Sequence, residues 1–246
     1  MTSVTPPSSG PCLSCRSTWR ATVASVRAKL RCGSSCISKV TSGSAPATCW
    51  SPIPRQRKKR RIRQQLRGLP PHAVKLFEDE TDLLLFPPLR AAWGRRGQPL
   101  EVRLSGGNAR RVVFGAINID TGRRLFLVRR RQRSEDFGAF LPLLAHHYRG
   151  RPVALVLDED PSHTARTSRA LATELGIMLI WLPKRCPELN GMDHLWGHGK
   201  DHICADRQYL SIDAQVERFV AYLAGLSNQD ALRQAGLLSR ECWLRL

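Results

Sequence analysis

The chain has 246 residues, 42% of them hydrophobic, with 39 Lys or Arg against 20 Asp or Glu and a net charge of +19. That length admits one large domain or a domain with an appendage, and the charge favours a polyanionic partner, nucleic acid first. No apolar run approaches the roughly 18 residues of a membrane span, and the N-terminus lacks the apolar core of a signal peptide, so no membrane partner is expected and a cytosolic protein is.

The charge is unevenly spread. Residues 1–77 hold fifteen Lys or Arg and no acid, whereas residues 78–246 are close to balance. The first fifty-odd residues are rich in Ser, Thr, Pro, Cys and Arg and lack hydrophobic period, a composition that buries too little apolar surface to offset chain entropy. Residues 1–70 are therefore expected to be a low-complexity basic segment, disordered or read from a shifted frame, and 71–246 the folded domain. Cys12, Cys15, Cys32 and Cys36 approximate paired zinc-ligand spacing, but nothing around them reads as a zinc-finger core. The run Arg57-Lys58-Lys59-Arg60-Arg61 reads either as the solvated face of a helix continuing to Leu66 or as an arm contacting phosphates. Gly68-Leu69-Pro70-Pro71 then breaks the chain.

Beyond Pro71 the pattern is regular. Ala73–Phe77 and Leu83–Phe86 read as two strands. Val112–Ile119 and Arg124–Val128 read as a hairpin turning at Asp120-Thr121-Gly122. Ser134 caps a predicted helix to Tyr148, with Phe137, Phe140, Leu141 and Leu144 on one face. Val153–Leu157 and Ile177–Leu182 are buried strands, each followed by a helix: Thr164–Leu175 and one starting at Asn190. A last helix covers about Ile212–Leu226. Antiparallel strands followed by strand–helix repeats predict an α/β fold, a mixed sheet flanked by helices, with the strands at Val153 and Ile177 adjacent and parallel.

Three acids fall where such a sheet presents ligands, at its carboxyl rim. Asp79 and Asp158 each follow an apolar run, and Asp193, separated from Asp158 by 34 residues, begins a helix that a short loop returns to the same rim. Any one of them alone reads as a turn or helix cap. Together they make a set of hard oxygen donors able to hold a pair of divalent cations, which is what phosphodiester chemistry requires.

The segments Phe77-Glu78-Asp79-Glu80-Thr81, Asp158 through His163, and Leu182-Pro183 through Pro187-Glu188-Leu189-Asn190, Asp193, Leu195-Trp196 and Lys200 resemble the three signature blocks of the DDE transposases of bacterial insertion sequences, in the group related to mariner elements. The resemblance spans about residues 71–205. It implies an RNase H-like fold with Asp79, Asp158 and Asp193 as catalytic and metal-binding residues. It also implies two magnesium ions, or manganese in their place, and a cut-and-paste reaction on DNA at element ends and target. A homodimer on DNA and no small-molecule cofactor go with it. The chain has Asp193 where the bacterial relatives carry glutamate, and Glu159 and Asp160 where they carry asparagine; those added charges either crowd a metal or face solvent. Gly191 stands where they have proline, which is expected to loosen the loop aiming Asp193. No helix-turn-helix pattern appears in residues 1–65, so a truncated copy of an element is expected.

Lys184, Arg185 and Lys200 join the basic run as candidate DNA contacts. Arg129-Arg130-Arg131 and Arg133 contact phosphates or protect a sheet edge. His163 serves at the rim or caps the next helix. His194, His198 and His202, spaced by four with Cys204 nearby, read as zinc ligands or as polar surface, and Leu195 and Trp196 as core anchors. The leading reading is a transposase catalytic domain. Its alternatives are an inactive basic DNA-binding remnant and a cellular nuclease of RNase H type.

Overall fold

Four acids among the five positions from Glu78 to Asp82 would be expected to interrupt a strand, and here they do not. Val74–Leu84 forms one strand of eleven residues, β1, where the sequence suggests two strands separated at Glu78–Asp82. The reason is pairing: the next strand, β2 (Arg110–Asn118), runs antiparallel to it from Leu76↔Asn118 to Leu84↔Arg110 and supplies partners along its whole outer length. A full ladder outweighs the weak β-propensity of Asp and Glu. The computed structural model describes residues 53–91, 93, 95, 96 and 101–244. The expectations for residues 1–52, including the cysteine pairs and the shifted frame, fall outside the described residues.

The sheet is completed by β3 (Arg124–Arg129), β4 (Val153–Leu157) and β5 (Ile177–Trp181), in the order β3-β2-β1-β4-β5. The first three strands are antiparallel. β4 joins β1 in parallel and β5 joins β4 in parallel, from Val153↔Ile177 to Leu157↔Trp181, as expected.

Side chains alternate across the sheet, and each face has its own apolar cluster. Leu76, Phe114, Leu155 and Leu157 pack with Phe137, Phe140, Leu141 and Leu144 of α2 (Ser134–His147). Ala172 of α4 (Arg166–Glu174) joins that side. On the other face Phe77, Val113, Val156 and Ile180 meet Ile62 and Leu66 of α1 (Ile53–Arg67), Met192, Leu195 and Trp196 of α5 (Gly191–Gly199), and Val216, Phe219 and Leu223 of α6 (Ile212–Gly225). The result is the mixed, helix-flanked sheet of an RNase H-like domain.

Several boundaries differ from expectation. α1 lies ahead of Pro71, yet Ile62 and Leu66, one helical turn apart, are buried in the core; two apolar residues on one face suffice to seat an otherwise basic helix. Ser134 is the first helical residue rather than the cap, which is Arg133 and makes no side-chain bond. The helix expected over Thr164–Leu175 is split into α3 (Pro161–Thr164) and α4, because Ala165 takes an extended conformation between them. A further helix, α7 (Asn228–Gln234), capped by Ser227, is not among the elements expected from the sequence. Among the described residues no helix is long and apolar enough to cross a membrane.

Candidate active site

The site is set by register. Phe77↔Val156 is the last rung between β1 and β4, so two residues further on Asp79 and Asp158 leave neighbouring strands at the same rim and on the same face. Asp79 is thus mid-strand with respect to β2 but beyond the end of β4. The sequence places it at the end of a short strand; the structure keeps it at the rim for a different reason.

Asp193 arrives from above the sheet. Directly opposite Asp79 on β2 is Gly115. A Cβ there would stand 2.5 Å from the Trp196 ring and 2.7 Å from the Met192 methyl, so only glycine lets α5 settle this close. Met192 and Trp196 flank Asp193 along the same helix, and Trp196 is held further by stacking on Phe219, with ring centroids 5.9 Å apart. Leu195 and Trp196 are buried anchors, as their spacing suggests. The electrostatics record the convergence. Burial pushes the Asp79 carboxyl well above the usual carboxylate range, and the negative charges of Glu80, Asp158 and Asp193 push it further. Asp158 and Asp193 are themselves exposed, so the three acids form an open cluster at the surface.

The start of α5 is fixed by Asn190. Its side-chain oxygen accepts from the Met192 N–H, capping the helix, while its side-chain amide donates to the Glu78 carbonyl at 2.7 Å. Gly191 does not loosen this junction. It is the first residue of the helix, and a Cβ on it would lie 3.3 Å from the Phe77 ring and 3.2 Å from the Ala235 carbonyl oxygen, so its small size serves close packing.

His163 does not cap a helix, since Asp160 caps α3, accepting from the Ser162 N–H; it lies under the rim, bonded to Asp158. The imidazole is fully buried beneath Asp158, with Nδ1 3.0 Å from Asp158 Oδ1, Nε2 2.8 Å from Glu80 Oε1 and 3.5 Å from Glu78 Oε2, and its ring 4.5 Å from that of Phe137. Burial alone would lower its pKa, but the Glu78 charge and the bonds to Asp158 and Glu80 outweigh burial and raise it to about 12. The surroundings thus favour the protonated imidazole, in which both nitrogens can donate. Its bond holds Asp158 below the usual carboxylate range, against a smaller opposing effect of burial. Burial raises both Glu78 and Glu80, and Glu78 well above the usual range. Sequence reasoning overlooks Glu78 and Glu80 as site residues, although their i, i+2 spacing in an apolar strand puts them on one face opposite Asp79.

The candidate basic contacts divide. Lys58 Nζ lies 2.6 Å from Glu159 Oε1, and Lys184 Nζ 3.4 Å from Glu159 Oε2. Glu159 thus faces away from the acid cluster and gathers two lysines beside Asp158. Arg57, Lys58 and Arg61 line a groove of about 420 Å³ between α1 and β5 that ends at Glu159. Arg60 lines the outer side of α1 with Arg63 and Arg67, and Lys59 faces the Gly191 side. Arg185 lies in the loop after Lys184 with φ 55°. Lys200 sits at the far end of α5, beside Pro87, Pro88 and Cys204, and does not join the others. The three histidines do not converge on Cys204: His198 Nε2 pairs with the Tyr222 hydroxyl at 2.9 Å, and His202 Nδ1 donates to the His198 carbonyl.

Two groups of ligand-type side chains adjoin one another. Glu78, Glu80 and His163 have donor atoms within 4.8 Å of one another, but the imidazolium already occupies the cation's place there. Asp79, Asp158 and Asp193 offer carboxylate oxygens, the donors magnesium and manganese take, and the repulsion felt by Asp79 is what a bound cation would relieve. The residues present fit a divalent metal.

Residues 75–215 match the family model described as DDE superfamily endonuclease, and the chain belongs to that family. It is 28% identical over 138 residues to the insertion element IS630 uncharacterized 39 kDa protein of Shigella sonnei, a match covering 55% of this chain and 40% of that one. The chain thus spans two-fifths of the length of that relative. Among solved structures it is similar to the mariner Mos1 paired-end complex with Mg (TM-score 0.62, 17% identity, 85% of this chain and 65% of that one). It is also similar to the catalytic domain of Mos1 mariner transposase (TM-score 0.55, 14% identity, 75% and 86%). These likenesses show the shared RNase H-like fold. The endonuclease family and the acid-rich site together support the use of a divalent metal.

Proposed function

We propose that this chain is the catalytic domain of an insertion-element transposase, cutting DNA strands and joining them to a target, with Asp79, Asp158 and Asp193 as its catalytic and metal-binding residues. The observation that carries the reading is the convergence of these three acids, from two adjacent parallel strands and one pinned helix, at an open rim. A pair of magnesium ions bound there, with manganese as substitute, would supply an activated water or 3′-hydroxyl and stabilise the departing 3′ oxygen. The chain's own residues do the rest. Asp79 and Asp158 present oxygens from adjacent strands, and Asp193 closes the set. His163 holds the Asp158 carboxylate ionised and oriented, as outer partners of metal ligands do.

The DNA partner is supported by the net charge and by the Arg57, Lys58, Arg61 and Lys184 cluster next to Asp158. Arg60, Lys59 and Arg185 extend that surface in other directions, Lys200 lies apart from it, and all four would add phosphate contacts without base specificity. Because the matched relatives are longer, recognition of element ends, action as a homodimer on DNA and residence in the bacterial cytosol belong to the same proposal. The likeness to Mos1 complexes with transposon ends supports it.

The test is a nicking assay on DNA carrying the terminal repeats that flank the gene, with magnesium or manganese. Asp158→Asn and Asp193→Asn should each abolish cleavage and leave DNA affinity nearly unchanged. Cleavage by neither wild type nor variant, with DNA binding intact, would favour the inactive DNA-binding remnant. Equal loss of cleavage and binding in the variants would sink the site assignment.

A further inference from the structure

The turn that carries the third acid is held from a second side by the C-terminal tail. After α7 the chain folds back over the start of α5. The Trp243 indole N–H donates to the Leu189 carbonyl at 2.9 Å. Its ring lies 6.4 Å from that of Phe77, tilted by 55°, and the next residue, Leu244, is buried in the same core. Ala235 of the same tail is the residue against which Gly191 packs. Leu189 closes the single 3-10 turn Pro187–Leu189 and immediately precedes Asn190, the cap of α5.

Two side chains therefore grip the backbone three and four residues ahead of Asp193. Asn190 ties it to β1, which carries Asp79, and Trp243 ties it to the tail. The tail lies outside residues 75–215, which match the family model. A cation held by several carboxylates tolerates displacements of only about 0.5 Å in any of them, and α5 is short, with Asp193 exposed in its first turn. Freedom in the Pro187–Leu189 turn would pass directly into the position of that carboxylate.

We propose that Trp243 is a positioning residue for Asp193: through the Leu189 carbonyl it fixes the start of α5 and so the geometry of the divalent-metal site. This rests on the metal-binding role proposed above for the three acids. The measurement is Mn²⁺ binding by the full chain, followed by the electron paramagnetic resonance signal of free Mn²⁺, with thermal unfolding in metal-free buffer run in parallel. Trp243→Phe keeps the ring over Phe77 and removes the donor. It should fold and raise the half-saturating Mn²⁺ concentration by about tenfold, the lower end for residues that orient metal ligands. Trp243→His, whose ring N–H can take over the bond, should recover part of that affinity and serves as the test on its own if Trp243→Phe does not fold. Mn²⁺ binding unchanged in Trp243→Phe, or equally weakened in both variants, would overturn the proposal, as would lowered thermal stability with unchanged affinity. Asp193→Asn is the control that separates the two readings. If it binds Mn²⁺ as the wild type does, the metal site itself is wrongly assigned, and the role of Trp243 falls with it.

Discussion

The side-chain amide of Asn190 donates to the main-chain carbonyl of Glu78 at 2.7 Å, and Glu78 is the residue immediately before Asp79. One buried side chain thereby joins the strand that presents the first acid to the helix that presents the third, across more than a hundred residues of sequence. The same side chain caps that helix, so orientation of α5 and its attachment to the sheet depend on a single residue.

Asn190→Ala should remove both interactions at once. A lost N-cap is worth about 1 kcal/mol, and the buried Glu78 carbonyl left without its donor adds about 1–3 kcal/mol. Urea unfolding should show a loss of about 2–4 kcal/mol. A loss confined to a few tenths would mean that α5 is held by packing alone.

Gly115 is the space into which Trp196 and Met192 descend. A methyl group there would overlap the Trp196 ring, and overpacking of this kind costs about 1–3 kcal/mol. Gly115→Ala is expected to lower stability by that amount and to reduce metal-dependent cleavage more than DNA binding, because the helix bearing Asp193 must lift. Cleavage equal to wild type would show that α5 can shift without moving the acid.

The buried His163 imidazole is set among the carboxyl groups of buried Glu78 and Glu80 and of the exposed Asp158. Replacing it with Gln should cost about 3–5 kcal/mol, the usual penalty for breaking a buried ion pair by removing one partner. Any folded fraction should cleave about 10–100-fold more slowly. Calorimetry on the purified variant checks the first number, and a melting temperature equal to wild type would remove the imidazolium from the account.

Lys58 and Lys184 meet on Glu159 beside the proposed site. If both reach phosphates when DNA binds, changing the pair to alanine should weaken binding alike for all sequences. It should also lower the slope of log affinity against log salt by about 2, roughly one for each phosphate no longer neutralised. A salt dependence identical to wild type would show that these lysines serve only Glu159.

Much of the sheet is legible in the sequence because its two parallel strands after β1 are continuous β-branched and aliphatic runs bounded by breakers. Val153–Leu157 appears in the structure with the predicted bounds, and Ile177–Trp181 is one residue short of them. β1 reads as two strands because local propensity at Glu78–Asp82 points away from a strand, and only the β2 ladder overrides it. The seating of α1 is hidden for a related reason. Two apolar residues among so many basic ones make a weak periodic signal, and their burial depends on the partner surface, which the local sequence does not display.

By itself the sequence determined the identity of the acids, their order, and the two blocks around Asp158 and Asp193, since strand–turn–helix punctuation is a local property of the chain. What only the tertiary structure decided is which neighbours surround them. The fold buried His163 between Asp158 and two glutamates, turned Glu159 outward to two lysines, and set Asn190 and Trp243 on the carbonyls that fix the start of the Asp193 helix. The bonds His163–Glu80, Asn190–Glu78, Trp243–Leu189 and Lys58–Glu159 join residues from 54 to 112 positions apart. They depend on strand register and helix packing depth, which arise only when the whole sheet has closed over its two cores.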